Sequence, residues 1–286
     1  MRKPIFVALI FLAATAANAQ KAITFKSRLL PKHTYTIEGI TDIDSRIITL
    51  GQGNAMPKNQ QARKFENKAN VVISCTVATG TPDARGAFPF IITINNFSTK
   101  NIVNGAEQPG AQNNAVKGAR SQGTITADGK MHTETITFVS ADEKTRNAIL
   151  GMLNKFGDQI QFPARPVRVG ESFTQEKPFN LANGGKSIDI KTIVTYTLKS
   201  IKGYLAYFDT KEVIVVNANA AHKTGRKIDV KTSGTGKGTM IYDINNNFAV
   251  AKNDKLNTKM NMTMGTTNMD VEAATIVSYK AKISAN

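Results

Sequence analysis

Val71-Val72-Ile73-Ser74-Cys75-Thr76-Val77 and Phe88-Pro89-Phe90-Ile91-Ile92-Thr93-Ile94 decide the fold class. Both runs are rich in β-branched and aromatic residues, and the polar Gly/Pro/Asp segment from Thr79 to Gly86 between them has the chemistry of a turn. They read as two antiparallel strands of one hairpin. Similar runs recur outward from this pair. Gly123-Thr124-Ile125-Thr126 and Met131-His132-Thr133-Glu134-Thr135-Ile136-Thr137-Phe138 flank Asp128-Gly129, the dipeptide favoured by a tight type I′ turn because both central residues take positive φ. Ile188–Lys199 and Leu205–Val216 form a long hairpin across Ser200-Ile201-Lys202-Gly203. Gly238–Tyr242 and Phe248–Val250 form a short one across Asn245-Asn246-Asn247. Two polar stretches, Gln52 to Asn70 and Ser98 to Gln122, read as mobile surface loops.

One helix is expected. Ser140-Ala141-Asp142-Glu143 is a capping box, in which the Ser hydroxyl and the Glu carboxylate satisfy each other's orphan backbone N–H groups. Ile149, Met152, Leu153 and Phe156 follow at i, i+3, i+4, i+7 spacing, and Gly157 supplies the stop. Such a stripe suits packing on a sheet, or contact with lipid or a partner. The order of elements before this helix recurs after it, with Thr34-Tyr35-Thr36-Ile37 matching Ser172-Phe173-Thr174-Gln175 as opening strands. The expected fold is therefore mainly β: antiparallel strands forming a large curved sheet or two similar packed β lobes, with one central α-helix at about residues 140–157. Its parts are a signal peptide (1–19), an N-terminal β half (20–139), the helix with a Pro-rich connector (140–170), and a C-terminal β half (171–286). A porin-like barrel fits less well, because the strands are uneven and the chain ends in Ala285-Asn286 rather than an aromatic residue.

The first nineteen residues combine Arg2 and Lys3, an apolar run from Ile5 to Ala14, and Ala17-Asn18-Ala19 before Gln20. That is the pattern of a secretory signal cleaved near Ala19-Gln20, so export to the periplasm or beyond is expected. The apolar run is too short to span a bilayer, and no later segment approaches the length of a transmembrane helix. Gln20 stands where a lipoprotein would carry its lipidated cysteine. The single cysteine, Cys75, excludes an internal disulfide framework, so a packed core must hold the fold.

The chain carries a formal net charge of +16, or about +14 without Arg2 and Lys3. Outside the cytoplasm such a balance favours lipid head groups, lipopolysaccharide or acidic glycan over nucleic acid. Lys223, Arg226, Lys227, Lys231 and Lys237 are the candidate polyanion contacts, although Asp229 and several glycines break the run and strand alternation would split it between two faces. The absence of Trp weakens a carbohydrate-stacking reading.

Motifs for chemistry fail on spacing. Ser233-Gly234-Thr235-Gly236-Lys237-Gly238-Thr239 looks like a phosphate-binding loop, but Lys231 occupies the place of its first glycine and Gly238 that of its hydroxyl residue, so a glycine-bent strand is the plainer reading. Asp243, Asn245, Asn247 and Asp254 fit four positions of a calcium loop whose glycine is replaced by Phe248, which leaves an Asn-rich hairpin tip. His33, His132 and His222 lack partners at metal-binding spacing. Cys75 sits in an apolar strand, where a thiol behaves as a small hydrophobe. No nucleophile motif appears, and no catalytic residue, cofactor or metal ligand is nominated. Asp209 and Glu212, three apart on a strand, should face opposite sides of it, and Asp128 should project from a hairpin tip.

Phe162-Pro163-Ala164-Arg165-Pro166-Val167-Arg168-Val169-Gly170-Glu171-Ser172-Phe173 resembles the P-x-[KR]-P-V-x-[VI]-G-[DE]-[ST]-[WF] junction of a domain-of-unknown-function family of secreted bacterial β-rich proteins. Leu30-Pro31-Lys32-His33-Thr34-Tyr35 is similar to that family's opening strand, with His33 replacing its glycine, and the Gly238–Val250 hairpin to its late G-x-x-x-Y-D segment. Phe173 stands where Trp is commoner. The resemblance implies a fold and no activity. Two functions are carried forward: a non-enzymatic exported protein that shelters a lipid or other amphipathic ligand in a sheet concavity, and an envelope protein that holds anionic glycan or lipopolysaccharide on a basic surface. An enzyme ranks behind both, and oligomeric state is not legible.

Overall fold

The computed structural model describes residues 22–51, 63–108, 116–138, 160–183, 186–221, 227–264 and 267–286. Twelve strands follow one another: β1 His33–Gly51, β2 Arg63–Thr79, β3 Phe88–Val103, β4 Ala106–Gln108, β5 Arg120–Ile125, β6 Met131–Thr137, β7 Ser172–Asn183, β8 Lys186–Lys202, β9 Leu205–Ala221, β10 Lys227–Asp243, β11 Phe248–Met264 and β12 Thr267–Ala285. All pairings are antiparallel, in the order β6-β5-β3-β2-β1-β12-β11-β10-β9-β8-β7, with the short β4 beside β3. Most neighbours in sequence are thus neighbours in space; β5 pairs with β3 rather than β4, β6 and β7 stand at opposite edges, and β1 and β12 zip together along their whole length from His33↔Ala285 to Gly51↔Thr267. This pairing fuses the two halves of the chain. One curved sheet results, open between β6 and β7, and not two packed lobes.

The long strands run about 55 Å at ~3.3 Å per residue. The two large buried clusters lie toward one end of this trough, and at the other Val230 and Thr232 of β10 are buried. At the first end Tyr35, Val77, Phe90, Ile92, Ile94 and Ile125 make one buried cluster, and Tyr196, Leu198, Phe208, Met240 and Tyr242 a second, with half-buried Tyr279 touching both. Two irregular segments plug that end. Ile23 bridges Val167, and the Phe25 ring stacks on Phe162 at 4.9 Å and meets Phe208 and Tyr242 edge-on at 5.3 and 5.7 Å. Pro163 and Pro166 suit this role because an extended chain without its full set of N–H donors can cross a core mouth without joining a ladder. Each large side chain so buried contributes about 1.5–3 kcal/mol.

The Val71–Val77 and Phe88–Ile94 strands lie within β2 and β3, and the hairpins at Gly203 and Asn245–Asn247 are present. Three expectations change. The stretches Gln52–Asn70 and Ser98–Gln122 are partly strand: β2 starts at Arg63, β3 continues to Val103, and β5 starts at Arg120. Lys64, Lys68, Asn70, Lys100 and Gln122 there are outer-face positions of long strands, and Asn67 and Asn101 face inward, so polarity by itself misplaced the boundaries. The Asp128-Gly129 turn has only Gly129 at positive φ (87°), and Ala127-Asp128 form its centre, which makes it a type I turn closed by a left-handed glycine. The helix expected at 140–157 lies outside the described residues, as does the signal peptide at 1–19. Among the described residues there is no helix, and none long and apolar enough to cross a membrane.

Candidate functional site

Register assigns every strand position to one of two faces. Tyr35 and Ile37 of β1 point into the filled end, opposite Val77 and Cys75 of β2 and Ile283 and Ala281 of β12. The same alternation carried away from that end puts Ile43 and Ile47 of β1, Val71 of β2, Val271 and Met269 of β12, Leu256, Met260 and Met262 of β11, and Ile214 of β9 on this inner face. All are half-buried rather than buried. The outer face carries Glu38, Asp42, Asp44 and Arg46 of β1, Lys255, Asn257 and Lys259 of β11, and Lys231, Ser233, Thr235 and Lys237 of β10, all exposed. Exposed Ile40, Ile91 and Ile276 stand on the outer face as well.

Where the filled end meets this open apolar wall, charge appears on the inner face. Thr210 of β9, Gly238 of β10 and Asp254 of β11 lie in one cross-strand row, which Tyr196 of β8 continues. Thr210 donates a 2.6 Å hydrogen bond to Asp254, and Lys252 pairs with Asp254 and, at 3.4 Å, with Glu212 of β9. β9 and β11 are two strand spacings apart, about 9.5 Å in a flat sheet, too far for a Thr and an Asp to touch. The sheet must therefore fold inward along β10. Gly238 permits it: a Cβ there would lie 2.0 Å from the Asp254 carboxylate and 2.2 Å from the Asn253 carbonyl. Gly236 and Gly234 extend this small-residue floor, each with a neighbour at 3.0–3.1 Å from such a Cβ.

Burial drives the electrostatics of the group. Desolvation raises the Glu212 carboxyl above its usual range, opposed by Lys252 and reinforced by Asp254. Burial by itself would lower Lys252, but Asp254 and Glu212 together outweigh it and hold the ammonium charged. Tyr196 is fully buried, its phenol pushed up to about 12 mainly by that burial, and its hydroxyl has no hydrogen-bond partner among the described residues. The two acids and the lysine keep 4–21% of their side-chain surface exposed.

No protein-family model and no curated protein matches the chain. Among solved structures it is similar to the crystal structure of Pseudomonas aeruginosa OccK7 (OpdD), at 4% identity and a TM-score of 0.28, over 88% of this chain and 99% of that one.

The basic residues singled out from the sequence do not form one patch. Lys223 and Arg226 lie outside the described residues, and of Lys227 only the strand position is described. Lys231 and Lys237 are exposed on the outer face of β10. The register reveals a different basic group there: Lys237 sits directly opposite Lys255 of β11 on one side and Lys211 of β9 on the other. None of the three has an ion-pair partner among the described residues, whereas Lys259 beside them pairs with Glu272 at 2.9 Å in a shallow outer depression of about 710 Å³.

The glycine-rich Ser233–Thr239 run is a bent strand, and Asp243 accepts hydrogen bonds from the Asn245 and Asn246 amides as the cap of a hairpin tip. Asp128 pairs with Lys130 and Asp209 with Lys199 on the outside, while Glu212 turns inward. Cys75 is buried, and burial pushes its thiol up to about 12. Sequence reading missed the inner charge group because Tyr196, Glu212, Lys252 and Asp254 come from three strands. The one available signal was glycine at period two, Gly234, Gly236 and Gly238, which empties one face of β10 and lets the flanking strands meet across it.

Proposed function

We propose that this is an exported, non-enzymatic protein that holds a lipid or other amphipathic ligand against the inner face of its sheet. The observation that carries the reading is the contrast along that face: one end holds two clusters of buried aromatic and aliphatic side chains, and toward the other Leu256, Met260, Met262, Ile43, Ile47 and Ile214 flank buried Val230 and are themselves only half covered. Methionine suits such a wall because its unbranched thioether adapts to chains of different shape. A trough lined this way, with a few polar groups at its base, is the common form of a small-molecule site. The signal-like N-terminus supports an extracytoplasmic setting, and the junction resembling a secreted family adds no activity to it.

Native mass spectrometry of protein released from the cell envelope tests this. An adduct of lipid mass is expected, removable by solvent extraction and lost in Met260→Asp and Met262→Asp. Adduct-free protein that also fails to bind a fluorescent fatty acid would overturn the reading.

The Lys211–Lys237–Lys255 row favours a second role, retention on an anionic envelope polymer. Like charges directly opposite on neighbouring strands are destabilising, and an anion laid across them would relieve that repulsion. Retention on immobilised lipopolysaccharide should fall steeply with salt, since exposed charges are screened beyond a Debye length of about 8 Å at physiological ionic strength. Salt-insensitive retention rejects it.

A further inference from the structure

We infer that the Glu212, Asp254 and Tyr196 group at the base of the trough is a head-group site for an amphiphile bearing an ammonium. This rests on the amphiphile reading above and names the ligand class for the same concavity. Two carboxylates face one ammonium, Lys252, within a few ångströms and largely out of water. The group is short of positive charge. Asp254 accepts from Thr210 and pairs with Lys252, while Glu212 has the 3.4 Å contact with Lys252 and lies against Asp254 itself, a contact between two acids that a second ammonium would relieve.

The second observation is the Tyr196 hydroxyl. It lies fully buried in the Thr210–Gly238–Asp254 row, close enough to Lys252, Glu212 and Asp254 to feel all three charges, and it has no partner among the described residues. An unpartnered buried hydroxyl is costly and is normally satisfied by protein or by ordered water. Phe173, stacked on the Tyr196 ring at 5.1 Å, holds the phenol in place. A primary ammonium has three donors and no acceptor. It matches the group: the carboxylate of Glu212 and the oxygen of Tyr196 accept from it, and Leu256 and Ile214, next along the inner face, receive the first methylenes of its tail. An anionic head group would instead add a third negative charge to the same confined place.

Three probes with the same twelve-carbon tail test this on the full chain by isothermal titration calorimetry: dodecylammonium, dodecanol and dodecanoate, each below its micelle concentration. The expected order is dodecylammonium tightest and dodecanoate weakest, with about tenfold between ammonium and alcohol, as for one charged hydrogen-bonded contact. Tyr196→Phe and Glu212→Gln should each remove most of that preference while leaving dodecanol binding unchanged. Tyr196→Phe should not lower the melting temperature, because the hydroxyl it deletes makes no bond in the empty protein. Equal binding of all three tails, or a preference for dodecanoate, overturns the head-group site and leaves the apolar trough standing. If none of the three binds, the amphiphile reading falls as well.

Discussion

The two ends of the sheet are built from the same strands and differ in what covers their inner face. At one end Tyr35, Phe90, Tyr196, Phe208 and Tyr242 fill the trough, and Phe25 and Phe162 close it. Toward the other, the inner residues of β1, β9, β11 and β12 keep their apolar character and lose their cover. β11 passes from buried Ala249 through Lys252 and Asp254 to half-buried Leu256, Met260 and Met262 within a single strand. The hydrophobic pattern therefore continues past the core it builds. Only β10 is buried on this face there, at Val230 and Thr232, so the apolar pattern of its neighbours runs beyond what the described residues cover.

Substitutions at the two ends should separate most widely. Phe208→Ala removes a ring that touches Phe25, Phe162 and Phe173, and should cost about 3–5 kcal/mol in urea denaturation. Met260→Ala on the open wall should cost about 1 kcal/mol or less. Equal losses would mean that both ends are core.

Gly238→Ala attacks the boundary between them. Its methyl would displace Asp254 or part β10 from β11, for a loss of about 1–3 kcal/mol by the same measurement. Gly203→Ala is the control: it stands in a turn with open space around it, and any loss there comes from its φ of 60°.

On the outer face, Lys237→Glu turns two opposed like-charge pairs into opposite-charge pairs. It should raise stability by about 0.2–1 kcal/mol per pair at low salt and weaken retention on anionic polymer. An unchanged midpoint would mean that the lysine side chains splay apart.

The smallest effect belongs to the exposed hairpin tip. Hydrogen bonds from Thr126 and then Lys130 hold the Asp128 carboxyl down to about 2. Its folded value lies below the unfolded one, so its contribution to stability is complete above about pH 4 and lost as pH falls toward 2. Carboxyl NMR titration should place the midpoint near 2 and return it toward the ordinary range in Thr126→Val.

How far sequence reading reached depended on the distance between cooperating residues. The alternation around Val71–Val77 and Phe88–Ile94, the Gly203 and Asn-rich turns, and the opposite facing of Asp209 and Glu212 are local properties and were legible. The ends of β2, β3 and β5 were not, because a long strand that carries Lys, Asn and Gln looks like loop. Of the inner charge group, Asp254 belongs in the sequence to a calcium-like spacing, Glu212 to a pair with Asp209 and Lys252 to the basic C-terminal half, and Tyr196 has no local reason to stand out.

By itself the sequence determined that the chain is β-rich, that its strands are antiparallel hairpins, and which residues share a face of each strand, since period-two alternation and turn chemistry act over a few residues. Only the tertiary structure decided that β1 zips to β12 across the length of the chain and that β10 folds on its glycines. Those two contacts make one trough from two halves and bring Tyr196, Glu212, Lys252 and Asp254 together, because pairings between distant strands are set by how whole strands pack, which no short window of sequence contains.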